Sequence, residues 1–157
     1  CIPIAMAKHL PKAEVSAIDV SEAALQIARR NAAINAVKVD FLLQDILQTE
    51  KLNDTYHIIV SNPPYVRELE KAEIRANVLL HEPHIALFVP DNDALKFYRK
   101  IAELAMTSLS SKGKLFFEIN QYLGKETAEL LIKIGFDQIE LRKDIYGNDR
   151  MIRAIKP

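Results

Sequence analysis

Glycine is scarce in this chain, with four in 157 residues. A phosphate-cradling loop needs several glycines close together, so none is hidden here. Cysteine is scarcer still. Cys1 alone permits no intrachain disulfide, which fits a reducing compartment and makes a cytoplasmic location the expectation. Neither sign of charge is in excess: 21 Lys and Arg face 21 Asp and Glu, and the sequence pI is about 7.1. A duplex-binding surface usually carries a basic excess, so net charge lends no support to a phosphate-backbone partner, although a local basic face stays open. No apolar run approaches a membrane span and no signal peptide opens the chain, so no membrane partner is expected. A Ser-His-Asp arrangement is lacking, and so is a metal-ligand set. His81 and His84 flank Glu82, but Pro83 lies between them and no Cys pair or third element has metal spacing. An initiator methionine is missing too. Residues 1 to 10 read as a helix already under way, with Pro3 tolerable in its first turn, so the chain is expected to be a fragment.

What is present suits a folded α/β domain. Apolar residues make up 49% and mean hydropathy is −0.03, as in a soluble globular protein. No repeat, low-complexity tract or linker interrupts the chain, so residues 1–157 are expected to form a single domain. Residues 14 to 20 read as a strand with Asp19 near its carboxyl end. Ser21 is a fitting N-cap for a helix to about Asn35, with Leu25, Ala28 and Ala32 inward. Residues 37 to 43 form the next strand, ended by Gln44-Asp45, and 56 to 60 a short buried strand of a parallel sheet. Residues 67 to 80 read as helical within a long connection running to Pro90, either a binding loop or a plain surface excursion. Its acidic members Glu68, Glu70 and Glu73 read as a solvated face. Asp91 or Asn92 is expected to cap a helix whose stripe is Leu95, Tyr98, Ala102, Ala105 and Leu109. A turn at Lys112-Gly113 leads to a strand over 115 to 119. A short helix follows with Ala128, Leu131 and Ile132 inward and Gly135 at its end. The last two strands, 136 to 141 and 151 to 155, are joined through Gly147-Asn148-Asp149, which predicts an antiparallel hairpin.

The chain is organised around Ser61-Asn62-Pro63-Pro64-Tyr65. Two prolines fix two φ angles, remove two donors and push the preceding residues to extended geometry. The result is a stiff loop at the carboxyl end of a strand, where open α/β sheets place ligands. Asn62 offers one acceptor and two donors, Pro63 a free carbonyl and Tyr65 a flat apolar face. Together these suit a planar group bearing an NH2. The plainer alternative is a turn in which Asn62 bonds its own backbone.

That motif resembles the signature of class I methyltransferases that alkylate planar nitrogens. The run from Ile58 to Glu82-Pro83, with Phe117-Glu118-Ile119-Asn120, is similar to the HemK/PrmC family. Its members modify the glutamine of the Gly-Gly-Gln loop in peptide-chain release factors. The resemblance covers residues 14 to 157 in order and spacing. It implies a three-layer Rossmann-like class I methyltransferase sheet with an antiparallel last strand beside the fifth, truncated here before its first strand and glycine turn. It also implies S-adenosyl-L-methionine as cofactor, with Asp19 on the ribose, Asp45 at the adenine amino group, Ile46 and Leu47 on the adenine face, and Asn62 in contact. Asn62, Pro63, Pro64 and Tyr65 would hold the substrate amide, and Asn62, Pro63 and Tyr65 would carry the catalysis. Alternatives are an adenine-amine methyltransferase, which must extrude a base and usually needs basic surface, and a non-catalytic fragment of the fold. Without the first strand, weak cofactor binding and self-association through open sheet edges are expected.

Overall fold

The computed structural model describes residues 1–73 and 87–157. The second half of the expected 67–80 helix, and His81, Glu82 and His84, lie outside the described residues. The chain divides into two compact units, Cys1–Thr49 and Glu50–Pro157. Among the described residues no helix is long and apolar enough to cross a membrane.

In the first unit, helix α1 (Ile2–His9) carries its proline in the first turn. Strand β1 (Ser16–Asp19) pairs in parallel with β2 (Asp40–Leu43) through helix α2 (Glu22–Ile34), a right-sized crossover for a parallel pair. Ser21 caps α2 as its sequence position predicts, its hydroxyl accepting from the Ala24 amide at 3.2 Å. Leu25 and Ala32 are buried and Ala28 half-buried, so the inner face is the expected one. Strand β2 starts three residues later than its apolar run. Ala36 takes a left-handed φ of 53° and the Val37 amide returns to the Ala32 carbonyl, so these residues close the helix instead of extending the strand.

The second unit holds β3 (Tyr56–Ser61), β6 (Leu109–Glu118), β7 (Asp137–Lys143) and β8 (Asp149–Ile155) in the order β3-β6-β8-β7. Strand β3 runs parallel to β6, while β8 lies antiparallel to both β6 and β7. The antiparallel last strand thus sits where the family resemblance sets it. Strands β1 and β3 each have one ladder partner among the described residues. For β3 this corrects the expectation of a buried strand: as an edge it leaves Ile58 and Val60 at 40% and 38% exposure. A short parallel pair, β4 (Val66–Arg67) with β5 (Phe88–Val89), and a 3-10 turn over Glu68–Glu73 follow the motif.

Helix α3 (Lys96–Ser108) buries Tyr98, Ala102 and Ala105, and Tyr98 meets Phe117 edge to face at 5.2 Å between ring centres. Along β6, Leu115 and Phe117 alternate inward, and Ile119 continues the pattern just past its end. Neither Asp91 nor Asn92 caps α3. Asp91–Asp93 forms a separate 3-10 turn, and Asp91 Oδ1 accepts from the Leu69 amide at 3.1 Å. The Lys112-Gly113 turn lies inside β6 as a slip in register: Tyr56 faces Leu109, yet Ile58 already faces Lys114. Lys112 has φ 63°, and a Cβ on Gly113 would lie 2.8 Å from the Ser110 carbonyl oxygen.

Helix α4 (Gly124–Ile134) ends at Gly135, φ 110°, as expected. Its inner face is Gly124, Thr127 and Leu131, and Ile132 is 62% exposed, against expectation. The apolar pattern misleads because Thr127 is buried as a polar residue, its hydroxyl donating to the Leu123 carbonyl at 2.7 Å. Leu131→Ala should therefore cost about 2–5 kcal/mol of folding stability. Ile132→Ala should stay within about 0.5 kcal/mol. Urea unfolding of the two variants measures both, and equal losses would show the face assignment to be wrong.

Candidate functional site

The loop after β3 begins at the carboxyl end of that strand, level with the end of β6, since Ser61 faces Phe117. Pro63 is buried and Pro64 half-buried, so the two rings anchor the loop. Asn62 is exposed. Neither its side-chain amide nor the Pro63 carbonyl is hydrogen-bonded to a described residue. The turn reading, with Asn62 bonding its own backbone, is therefore not the one the fold adopts.

Tyr65 is fastened twice by the segment that ends β6. Its hydroxyl donates to Glu118 Oε1 at 2.8 Å, and its backbone carbonyl accepts from Asn120 Nδ2 at 2.9 Å. The other Asn120 hydrogen reaches the Glu70 carboxylate, at 2.8 Å to Oε2 and 3.2 Å to Oε1. Glu70 is itself paired with Arg67. Behind them Tyr98 donates to the Glu118 carbonyl at 3.2 Å and accepts from the Asn120 amide at 3.3 Å. Asn120 is 2% exposed and Glu70 8%. Glu70 is thus a buried member of this network, not part of a solvated acidic face, because a charged partner and an amide offset its desolvation. A cleft of about 130 Å³ opens here, with Tyr65, Glu70, Asn120, Tyr122 and Arg150 among its walls.

Sequence reasoning missed Glu118, Asn120, Glu70 and Arg150 as parts of this site. The sequence signal for two of them was the run Phe117-Glu118-Ile119-Asn120, two polar residues where an apolar strand ends. Nothing in the sequence alone marks Glu70 or Arg150.

Asp19, Asp45 and Ile46 belong to the first unit and Asn62 to Tyr65 to the second. Asp19 closes β1 and is exposed, with Oδ1 accepting from the Ser21 amide at 2.8 Å. That bond holds the entry to α2, and the other carboxylate oxygen is left without a described donor. Asp45 follows the end of the neighbouring β2 and is half-buried, with Oδ1 accepting from the Leu47 amide at 2.9 Å. Ile46 and Leu47 beside it are half-buried. Two carboxylates at the ends of adjacent parallel strands, each with an oxygen that no described donor reaches, suit a ligand rich in hydroxyl and amine donors.

Burial, and then the hydrogen bond to Glu118, pushes the Tyr65 hydroxyl from 10.0 up to about 12, with Arg150 opposing. Burial drives Tyr98 well above the usual phenol range. Because the folded Tyr65 holds its proton more tightly than the unfolded one, its contribution to stability is whole below pH 10 and lost as pH rises towards about 12. Subtracting the tyrosinate absorbance titration of Tyr65→Phe from that of the parent protein should leave one step near pH 12. A step at the ordinary phenol value would remove the buried tether.

Residues 1–89 match the model of the family described as methyltransferase small domain. The chain is 63% identical over 154 residues to the release factor glutamine methyltransferase of Flavobacterium psychrophilum, covering 98% of this chain and 54% of that protein. Against the release factor glutamine methyltransferase of Bacteroides thetaiotaomicron it is 48% identical over 155 residues, covering 98% and 56%. The chain thus spans about half the length of the curated relatives it matches. Among solved structures, a methyltransferase from Pyrococcus furiosus superposes with a TM-score of 0.68 at 20% identity, covering 97% of this chain and 67% of that one. A magnesium protoporphyrin IX methyltransferase from Synechocystis with bound SAH gives 0.59 at 15% identity, covering 99% and 68%. These structural likenesses carry the fold, the Rossmann-like arrangement of class I methyltransferases. The match over residues 1–89, on an α/β chain with that fold, places the chain in the methyltransferase small domain family.

Proposed function

We propose that the protein carrying this chain transfers a methyl group from S-adenosylmethionine to the side-chain amide nitrogen of a glutamine in a peptide-chain release factor, that of its Gly-Gly-Gln motif. The observation that carries this reading is the loop after β3. The exposed Asn62 amide and the Pro63 carbonyl, neither hydrogen-bonded to a described residue, stand beside a Tyr65 ring that is held in place. The names of the relatives at 63% and 48% identity support the same reaction.

The chemistry asks for alignment more than for acid or base. When bound, S-adenosylmethionine supplies an activated sulfonium methyl. A carboxamide nitrogen is a poor nucleophile because its lone pair is conjugated. Asn62 Oδ1 and the Pro63 carbonyl are the acceptors for its two hydrogens. Accepting both fixes the direction of the nitrogen and favours the positive charge that grows on it in the transition state. Pro64 stiffens the loop so that these acceptors need no reorganisation. Tyr65 covers the amide plane and excludes water. For the cofactor, the spare oxygen of Asp19 suits ribose hydroxyls, Asp45 the adenine amino group, and Ile46 with Leu47 an apolar ring face.

Two substitutions test these roles in the protein that carries this sequence, with release factor and labelled methyl donor. Asn62→Ala should lower turnover about 100-fold, the scale of losing one preorganised polar group, with cofactor affinity little changed. Asp19→Ala should weaken cofactor binding at least about tenfold in calorimetry, as for a lost hydrogen bond to a charged acceptor. Wild-type turnover by Asn62→Ala, or transfer to DNA in place of release factor, would refute the reading.

A further inference from the structure

Turning the Tyr65 side chain needs only rotation about χ1 and χ2, and the prolines before it do not restrain either. A half-buried phenol beside an open cleft would ordinarily have several rotamers available. Here the hydroxyl is tethered: among the described residues its short hydrogen bond is to the Glu118 carboxylate, 2.8 Å away. Glu118 is itself held in place. It is the last residue of β6, paired with Met151 of β8, and its carbonyl accepts from Tyr98, a residue with no exposure. The backbone end of Tyr65 has a separate anchor in Asn120. Losing the Glu118 contact would therefore free the ring without releasing the loop. Arg150 Nη1 approaches the same hydroxyl at 3.5 Å, a long contact that offers no equal substitute.

We propose that Glu118 is a positioning residue for methyl transfer: its carboxylate fixes the plane of the Tyr65 ring against which the acceptor amide lies. The proposal rests on the reading of Tyr65 as the cover of that amide. Glu118 touches neither acceptor nor cofactor in this role and acts only through the phenol. Its effect falls on turnover, because a ring free to rotate leaves the amide bound in poorly aligned poses, and small misplacements of reacting groups cost up to about 100-fold.

The test is a double-mutant cycle in the protein that carries this sequence, with release factor as acceptor. Tyr65→Phe keeps the ring and removes the tether, whereas Glu118→Leu removes the acceptor of that tether. Each should lower kcat about 10- to 100-fold, with calorimetric affinity for S-adenosylmethionine unchanged. The double variant should be no slower than the slower single, since both remove one interaction. Glu118→Gln, which keeps an oxygen to accept the phenol proton, should recover turnover to within about threefold of wild type. A purely structural role for Glu118 would lower thermal stability without this coupling or this rescue. Wild-type kcat in Tyr65→Phe, multiplicative losses in the double variant, or a Glu118→Gln as slow as Glu118→Leu would each overturn the proposal while leaving the reaction assigned. Should Glu118→Leu fail to fold, Tyr65→Phe and Glu118→Gln still decide. No transfer by the wild-type protein would instead remove the assigned reaction, and this proposal with it.

Discussion

The hydrogen bond between the Tyr65 hydroxyl and Glu118 joins two places 53 residues apart in sequence. It can exist because β3 and β6 are parallel neighbours whose carboxyl ends are level, with Ser61 facing Phe117. The loop leaves one strand and the carboxylate ends the next, so the sheet register itself brings phenol and acid together. The surrounding groups follow from that contact. Asn120, two residues beyond the acid, faces the Tyr65 carbonyl, and Tyr98 fills the space behind both.

The network also accounts for a charge at a nearly buried position. A lone buried carboxylate at Glu70 would be strongly disfavoured, and an isolated Asn120 amide would leave two donors without acceptors. Set against each other and against Arg67, the three satisfy one another. The exposed Asn62 is the contrast. No described residue hydrogen-bonds its side chain, which stands in solvent at the end of β3 instead of joining a buried network.

Much of the frame was legible in the sequence because it rests on short-range rules. Ser21 capped its helix, Gly135 ended another, and Gly147-Asn148-Asp149 marked the hairpin that puts β8 antiparallel between β6 and β7. The motif after β3 was legible because two adjacent prolines admit few conformations. What stayed hidden depended on partners distant in sequence. Glu70 looks like its acidic neighbours until Asn120, 50 residues on, comes into contact. Ile132 reads as core until Thr127 takes the inward position, and Ile58 and Val60 read as buried although β3 has one ladder partner among the described residues. Ladder position, a buried hydroxyl and a remote amide leave no periodic trace.

The slip between β3 and β6 turns on the order of two residues. Lys112 occupies the left-handed region, where glycine would be the easier choice, while Gly113 supplies room beside the Ser110 carbonyl and Leu109. Writing the pair as Gly-Lys would relieve the first position and obstruct the second with a Cβ at 2.8 Å from a backbone oxygen. A composition-preserving swap of adjacent residues, invisible to any count of turn formers, would therefore disturb the strand that ends in Glu118 at its register slip.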